Sequence, residues 1–313
     1  MESPILDDPD GSTPWDSVPL SLLATGPLLV MAVVAVGLYV LWPFGDIEAI
    51  AAGTTLEIVG FLAIVGAIAG IVPVAIGMLW FPFIRSVEPR VIHAFLALAT
   101  GVLAFIAVEM TGGMVGAGAD ADYLVAGSVA VLGIAGTFAV MYWVSSWSGR
   151  VADSGHKTGL QIAYLVAFAL GLHSIGEGLA IGVSLTQGEA ALVLLLVVGF
   201  VVHNILEGLT CVAAMARDHR TPRLWHFAAI GLIAGGPVIL GGWIGSLGDE
   251  PLLAVIFYAV AIGAIVQAIV EMVDLVRLDA GGLLTRVNAA ALVAGFLLMF
   301  VLEEIIVDMY IVG

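Results

Sequence analysis

Nine long apolar stretches constrain the fold of this 313-residue chain more than any other feature. A helix needs about 20 apolar residues to cross the hydrocarbon core of a bilayer. Hydrophobic residues make up 61% of the chain and charged residues only 11%, and a soluble domain cannot bury that much apolar surface. The stretches are continuously apolar, without the alternation of a membrane β-barrel. The sequence therefore predicts an all-α polytopic membrane protein. We number the stretches span 0 to span 8, and they cover approximately residues 19–42, 56–84, 91–110, 122–146, 159–186, 190–215, 225–246, 251–275 and 287–312.

The spans divide the chain into three parts. Residues 1–18 form an acidic N-terminal tail without lysine or arginine, and residues 19–43 form an extra transmembrane helix. A secretory signal has a basic first region and a shorter apolar core, so we expect this helix to be retained. Residues 56–313 form an eight-helix core. Its one cysteine, Cys211 in span 5, excludes an intramolecular disulfide.

The basic residues predict the orientation in the membrane. All nine lie in or beside the loops that follow spans 1, 3, 5 and 7, and the loops after spans 2, 4 and 6 contain none. Cytoplasmic loops of membrane proteins are enriched in lysine and arginine. We therefore predict that these loops face the cytoplasm, that the C-terminus lies outside, and that the protein resides in the plasma membrane. The nine residues are Arg85, Arg90, Arg150, Lys157, Arg217, Arg220, Arg223, Arg277 and Arg286.

Spans 4 and 5 each carry the same polar insertion. Span 4 contains His173-Ser-Ile-Gly-Glu177-Gly178, and span 5 contains His203-Asn-Ile-Leu-Glu207-Gly208. Histidine and glutamate four residues apart lie on one helix face. The two motifs are equally far from the turn between the spans, roughly 22 Å at 1.5 Å per residue. Two imidazoles and two carboxylates are thus predicted to converge at one depth inside the apolar layer.

These side chains predict a metal site. Imidazole nitrogen and carboxylate oxygen suit zinc, iron(II) and related divalent ions, and ionisable residues inside a membrane usually mark a pathway. The predicted ligands are His173, Glu177, His203 and Glu207. Ser174 and Asn204 directly follow the histidines and add weaker oxygen donors.

A second polar pair lies in span 7. Gln267 and Glu271 are four residues apart in the half of the helix that is predicted to face inward. They are predicted to line an inward path. The alternative is that the acidic residues here are structural, with Asp274 paired to Arg277.

Matched spacings on either side of the central pair indicate an inverted repeat. Span 1 contains Pro73-Val-Ala-Ile-Gly77 and span 6 contains Pro237-Val-Ile-Leu-Gly241. In spans 2 and 7 a glycine precedes a glutamate by eight residues, Gly101 with Glu109 and Gly263 with Glu271. Such repeats occur in many transporters, and the 3+2+3 arrangement predicts that three helices flank each side of the motif pair. The alternative is chance, because glycine and proline are common in membrane helices. Both prolines are predicted to break their helices.

Other functions are less well supported by these motifs. The HExxH signature of zinc proteases is absent, but a zinc-dependent intramembrane hydrolase remains as an alternative. Haem ligation by the two histidines would place two glutamates beside the macrocycle without evident purpose. We expect no catalytic residues and no prosthetic group. The expected partners are a divalent metal ion and the lipid bilayer, with a homodimer left open and no nucleic acid.

Two consecutive helices with His-x-x-x-Glu-Gly resemble the signature of the ZIP (Zrt/Irt-like) family of divalent-metal transporters. The span 5 motif is similar to the His-Asn-x-Pro-Glu-Gly form of the prokaryotic GufA-like branch. The resemblance covers spans 1 to 8. It implies transport of zinc or similar ions toward the cytoplasm, with metal bound between spans 4 and 5. It also implies that spans 1, 4, 5 and 6 move against a scaffold of spans 2, 3, 7 and 8.

The resemblance also assigns residues, and the chain departs from the family pattern at four positions. His173, Glu177, His203 and Glu207 match transport-site ligands, and Ser174 and Asn204 match positions of a neighbouring second metal site. Gly176 and Leu206 replace the family's proline, Ser174 replaces the commoner asparagine, and Gly236 stands where many relatives carry an acid. We therefore expect a single transported ion.

Overall fold

The computed structural model describes residues 47–82, 89–119, 121–153, 158–215, 222–280 and 285–312, together with Val33 and Ile84. The acidic tail, and span 0 apart from Val33, lie outside the described residues. Within the described ranges every regular element is a helix. The all-α class is therefore confirmed.

Eight of the predicted spans are present, and each is long and apolar enough to cross a membrane. They fit a polytopic membrane protein. A short helix, Ile47–Ala51, precedes them. The helices are Thr55–Gly66 with Ala67–Ile71 and Val72–Met78 (span 1), Pro89–Ala117 (span 2), Tyr123–Asp153 (span 3), Gly159–Thr186 (span 4), Ala190–Met215 (span 5), Leu224–Gly235 with Pro237–Gly245 (span 6), Pro251–Ala280 (span 7) and Arg286–Val312 (span 8).

Spans 2 and 3 are longer than their apolar stretches. Span 2 ends at Ala117 rather than near residue 110, and span 3 ends at Asp153 rather than near residue 146. Hydropathy detects only the part of a helix that needs an apolar environment. Backbone hydrogen bonding continues until a turn or cap stops it, so polar residues at the bundle ends remain helical.

A tight turn joins the two motif helices. Span 4 ends at Thr186, and Gly188 has φ +75°, a conformation that glycine adopts without steric cost. Span 5 starts two residues later, at Ala190. The turn makes spans 4 and 5 antiparallel neighbours, as the sequence predicted.

Spans 1 and 6 are both broken at their prolines, which confirms the predicted breaks. In span 1 a π-helical segment, Ala67–Ile71, ends two residues before Pro73. In span 6 the first helix ends at Gly235 and Pro237 starts the second. Proline has no N–H, so the carbonyl four residues earlier loses its usual helical donor. Those carbonyls belong to Ala69 and Ile233.

Glycines allow the backbones of broken spans and motif spans to touch. Gly77 of span 1 lies against Gly208 of span 5, and a Cβ added to Gly77 would collide with the carbonyl of Ile205. Gly241 of span 6 lies against Gly178 of span 4 in the same manner. Small residues at helix contacts are typical of membrane bundles. Span 1 is therefore packed tightly on span 5, and span 6 on span 4.

The remaining four spans form two similar close contacts. A Cβ on Gly101 of span 2 would meet the carbonyl of Leu292 in span 8, and one on Gly263 of span 7 would meet that of Ile134 in span 3. In the apolar parts of spans 3 and 8, only 6% and 17% of an 18-residue stretch is buried inside the bundle. Their exposed apolar faces fit a lipid environment.

The two ends of the bundle differ in charge. We call the basic end the one where spans 1, 3, 5 and 7 end and spans 2, 4, 6 and 8 begin. All nine basic residues belong by sequence to these helix ends or the segments that join them. The opposite, acidic end carries residues such as Asp122, Glu189, Asp249 and Glu250.

Candidate metal centre

All six predicted metal-site residues lie in the buried middle of spans 4 and 5. None exposes more than 4% of its surface. Because the spans are antiparallel and His173 and His203 each lie 15 residues from Gly188 in the turn, the histidine rings meet edge to face with centroids 5.7 Å apart. The predicted convergence at one depth is therefore observed.

Three of the predicted ligands form a compact cluster. One donor atom from each of His173, Glu177 and His203 lies within 4.8 Å of the other two. Glu177 Oε1 is 3.6 Å from His173 Nε2 and 3.8 Å from His203 Nε2. Tetrahedral zinc with bonds of about 2.0–2.1 Å holds its ligand atoms about 3.3–3.5 Å apart. Shifts of a few tenths of an ångström would suffice to bring the carboxylate and each ring to this spacing.

Glu207 joins the cluster at one side. Its Oε1 is 3.0 Å from His203 Nε2, a hydrogen-bonding distance. The same nitrogen cannot hold a proton for Glu207 and bind a metal ion. Glu207 would have to exchange this contact for a metal bond in order to serve as the fourth ligand.

Asn204 and Ser174 behave differently although they occupy equivalent motif positions. The Asn204 amide nitrogen donates to Glu177 Oε2 at 2.8 Å and to the carbonyl of Ala69 at 2.9 Å. Ser174 Oγ is buried without a hydrogen-bond partner. In this geometry Asn204 presents nitrogen rather than oxygen to Glu177.

The cluster contains several buried polar atoms without hydrogen bonds. Buried polar groups normally have a partner, and leaving one without costs roughly 1–3 kcal/mol. A divalent cation between Glu177 and His173 would satisfy Glu177 Oε1 and His173 Nε2, two of these atoms. The donor set and its lack of partners therefore fit a metal ion. The atoms are His173 Nδ1 and Nε2, Ser174 Oγ, Glu177 Oε1, His203 Nδ1, Asn204 Oδ1 and Glu207 Oε2.

A cavity of about 420 Å³ connects the cluster to the basic end. His173, His203 and Glu207 line its deep part, whereas Glu177 and Asn204 are not among its lining residues. Toward the basic end its wall comes from spans 2, 3, 4, 5 and 7. One side of the metal cluster therefore faces an open space and the other is packed.

The predicted pathway residues lie on this cavity. Glu271 accepts hydrogen bonds from Gln267 at 2.8 Å and from Ser145 of span 3 at 2.9 Å. The alternative pairing of Asp274 with Arg277 involves a side chain outside the described residues. Sequence reasoning missed Ser145, Ser148 and Thr210 as lining residues, because isolated hydroxyl residues give no periodic signal.

The route from the cluster to the acidic end is packed. In the acidic-end half of span 4 the residues from Gly176 to Leu185 are all buried. Ser184 and Tyr258 of span 7 are linked by a buried hydrogen bond of 2.9 Å. At the turn, Gln187 donates to the carbonyl of Gly248 at 2.6 Å. Among the described residues, the cavity thus extends from the cluster toward the basic end, and these contacts pack the acidic-end side.

No protein-family model matches the chain, and a search of curated proteins finds no match either.

Proposed function

We propose that this protein transports divalent metal ions, zinc foremost, across the membrane through the cluster of spans 4 and 5. The observation that carries the proposal is the one-sided access to a buried cluster of unpartnered donors. A structural metal site would be enclosed on all sides. A transport site needs a route to one side at a time, and the cavity supplies such a route.

The residues suggest a path from the cluster to the basic end. Glu177 and the two histidines hold the ion, and Glu207 lines the cavity beside the histidines. Glu271 then offers a further carboxylate closer to the basic end. Because cytoplasmic loops are rich in arginine and lysine, the proposed direction is import into the cytoplasm.

Equivalent contacts support the inverted 3+2+3 repeat. Span 1 meets Ile205 and Gly208 of span 5, as span 6 meets Ile175 and Gly178 of span 4. Spans 2 and 8 meet at Gly101 as spans 7 and 3 meet at Gly263. In repeat-built transporters one group of helices rocks against another around a central site. The backbone contacts at these glycines pair span 1 with span 5, span 6 with span 4, span 2 with span 8 and span 7 with span 3, and none of these four pairs joins spans 1, 4, 5 and 6 to spans 2, 3, 7 and 8. This is the division that the ZIP family resemblance implies.

A single ion per site is the proposed stoichiometry. A second ion between Glu177 and Asn204 would need oxygen donors from both, yet the Asn204 amide nitrogen faces Glu177 Oε2 at 2.8 Å. Gly236, in place of the family's acid, supplies no ligand. The cluster therefore has one set of strong donors.

Uptake into proteoliposomes tests the function. Zinc uptake by the reconstituted protein is measured with iron(II), manganese and other divalent ions as competitors. It is compared with zinc uptake by the His203→Ala variant. His226→Ala is the control, since His226 hydrogen-bonds Tyr164 outside the cluster. We expect His203→Ala to abolish uptake and His226→Ala to retain it. Uptake at the wild-type rate in His203→Ala would refute the site, and hydrolysis of a lipid or peptide without uptake would favour the zinc hydrolase.

Thiol labelling tests the direction. Asp122 at the acidic end and Arg223 at the basic end are both exposed, and each is replaced by cysteine in turn. In intact cells an impermeant maleimide should label the cysteine at position 122 and spare that at 223. Cys211 is fully buried and serves as the internal blank. Reversed labelling would contradict both the orientation and the import direction.

A further inference from the structure

The Asn204 side chain makes a bridge that metal ligation alone does not explain. Both N–H groups of its amide are used, one on Glu177 and one on the carbonyl of Ala69 in span 1. A carboxylate and a carbonyl are both acceptors, so only the amide nitrogen can face them. All of these groups are buried inside the bundle, so hydrogen bonds to water cannot replace the bonds that Asn204 makes.

Pro73 explains why the carbonyl of Ala69 accepts this bond. In a regular helix this carbonyl would receive the N–H of residue 73, which proline lacks. The π-helical segment Ala67–Ile71 spans the same position, and such segments often occur at functional sites. Asn204 thus supplies the donor that the chain removes from span 1, and it uses its other N–H on a metal-ligand candidate.

We propose that Asn204 is a positioning residue for the metal site. It holds Glu177 Oε2, so that Oε1 is the oxygen directed at the two histidines, and it ties this carboxylate to the proline break of span 1. This inference rests on the proposed function. A shift of span 1 would move Glu177 through Asn204, and a metal ion bound to Glu177 would favour one position of span 1.

The bridge has no counterpart in the other motif. Ser174 occupies the equivalent position of span 4 and has no hydrogen bond. The carbonyl of Ile233, which Pro237 deprives of its donor, lies instead against Gly171. The positioning role is therefore assigned to one of the two motifs.

A double-mutant cycle separates positioning from mere satisfaction of the Ala69 carbonyl. Asn204→Ala removes both bonds, whereas Pro73→Ala returns a backbone N–H to Ala69. Zinc affinity, from competition with a fluorescent chelator, and the thermal unfolding midpoint are measured on the full chain in detergent. The set comprises wild type, each single variant and Pro73→Ala/Asn204→Ala. Asn288→Ala, at the chain's other asparagine, is the matched control.

We expect Asn204→Ala to weaken zinc binding by about 10–100-fold, the usual effect of removing a group that orients a ligand, and to lower the midpoint. The double variant should regain much of the midpoint but not the affinity. Regained affinity in the double variant, or wild-type affinity in Asn204→Ala, would overturn the proposal. Should Asn204→Ala not fold, Asn204→Ser replaces it, since serine is the residue that span 4 carries here. If the wild-type protein binds zinc and these variants bind it equally tightly, only this inference is refuted. If the wild-type protein does not bind zinc, the proposed function is refuted.

Discussion

The two halves of the metal cluster start from nearly the same sequence and end in different surroundings. In the span 4 half, Glu177 is fully buried, is bonded by Asn204 and does not touch the cavity. In the span 5 half, Glu207 contacts its own histidine and lines the cavity. The same His-x-x-x-Glu pattern has thus produced one enclosed carboxylate and one that faces the open side.

The residue after each histidine explains part of this difference. Asn204 is long enough to reach both Glu177 and span 1, and Ser174 reaches neither. The rest of the difference between the two glutamates arises because the cavity reaches the cluster from the side on which Glu207 lies. The difference teaches that a repeated motif can place its two carboxylates in unequal surroundings, one enclosed and one open to the cavity.

The largest effect is expected where the backbone contacts of the two halves are broken. Gly208→Ala and Gly178→Ala place a methyl group against the carbonyls of Val74 and Val238 respectively. Overpacking commonly costs about 1–3 kcal/mol and more where backbone must move. Both variants should lose most of the folded protein, measured by monodisperse yield in detergent. Gly112→Ala, with nothing within 4 Å of its added Cβ, is the control. A large loss in only one variant would break the equivalence of the two halves.

Removal of the enclosed carboxylate is the next largest effect. Glu177→Gln can keep its oxygen on Asn204, which turns its amide group toward the histidines and removes the metal ligand. Zinc affinity should fall on the order of 100-fold or more, since loss of even a group behind a ligand costs 10–100-fold. Chelator competition measures it, with Glu304→Gln on the exposed face of span 8 as the control. Unchanged affinity would show that Glu177 is not a ligand.

Glu207→Gln should lower zinc affinity less than Glu177→Gln does and should act mainly on the uptake rate. The amide can still bond His203, so zinc affinity should fall by about 10-fold, which is a smaller loss than the one expected for Glu177→Gln. Because Glu207 stands at the cavity, the maximal uptake rate should fall more than the affinity does. Uptake kinetics in proteoliposomes measure both. Equal losses of affinity in the two variants would contradict the division between enclosed and exchanging carboxylates.

The smallest effect is expected at Ser174. Its buried hydroxyl makes no hydrogen bond, so Ser174→Ala should not lower the free energy of unfolding, whereas loss of the bonds of Asn204 should lower it by roughly 1–3 kcal/mol. Thermal unfolding of the metal-free protein measures the difference. A large destabilisation by Ser174→Ala would mean that the two positions are equivalent after all.

Part of the cluster could be predicted from the sequence because its causes are local. The i, i+4 spacing places each histidine and glutamate on one face, and the equal distances of the two histidines from the turn place the motifs at one depth. The role of Asn204 was not predictable in this way. It depends on a carbonyl 135 positions away in the sequence, and the span order does not show which helix other than span 4 lies beside span 5.

The sequence by itself determined the helical class, the eight described spans, the breaks at Pro73 and Pro237, and the depth at which the two motifs meet. These follow from apolar length, from the missing N–H of proline and from helix periodicity, all of which act within a single segment. Only the tertiary structure decided that Glu177 is enclosed while Glu207 faces a cavity, and that Asn204 bridges span 1 and span 4. Those outcomes depend on which helices pack together and on where their packing leaves space, and such contacts arise between residues that are distant along the chain.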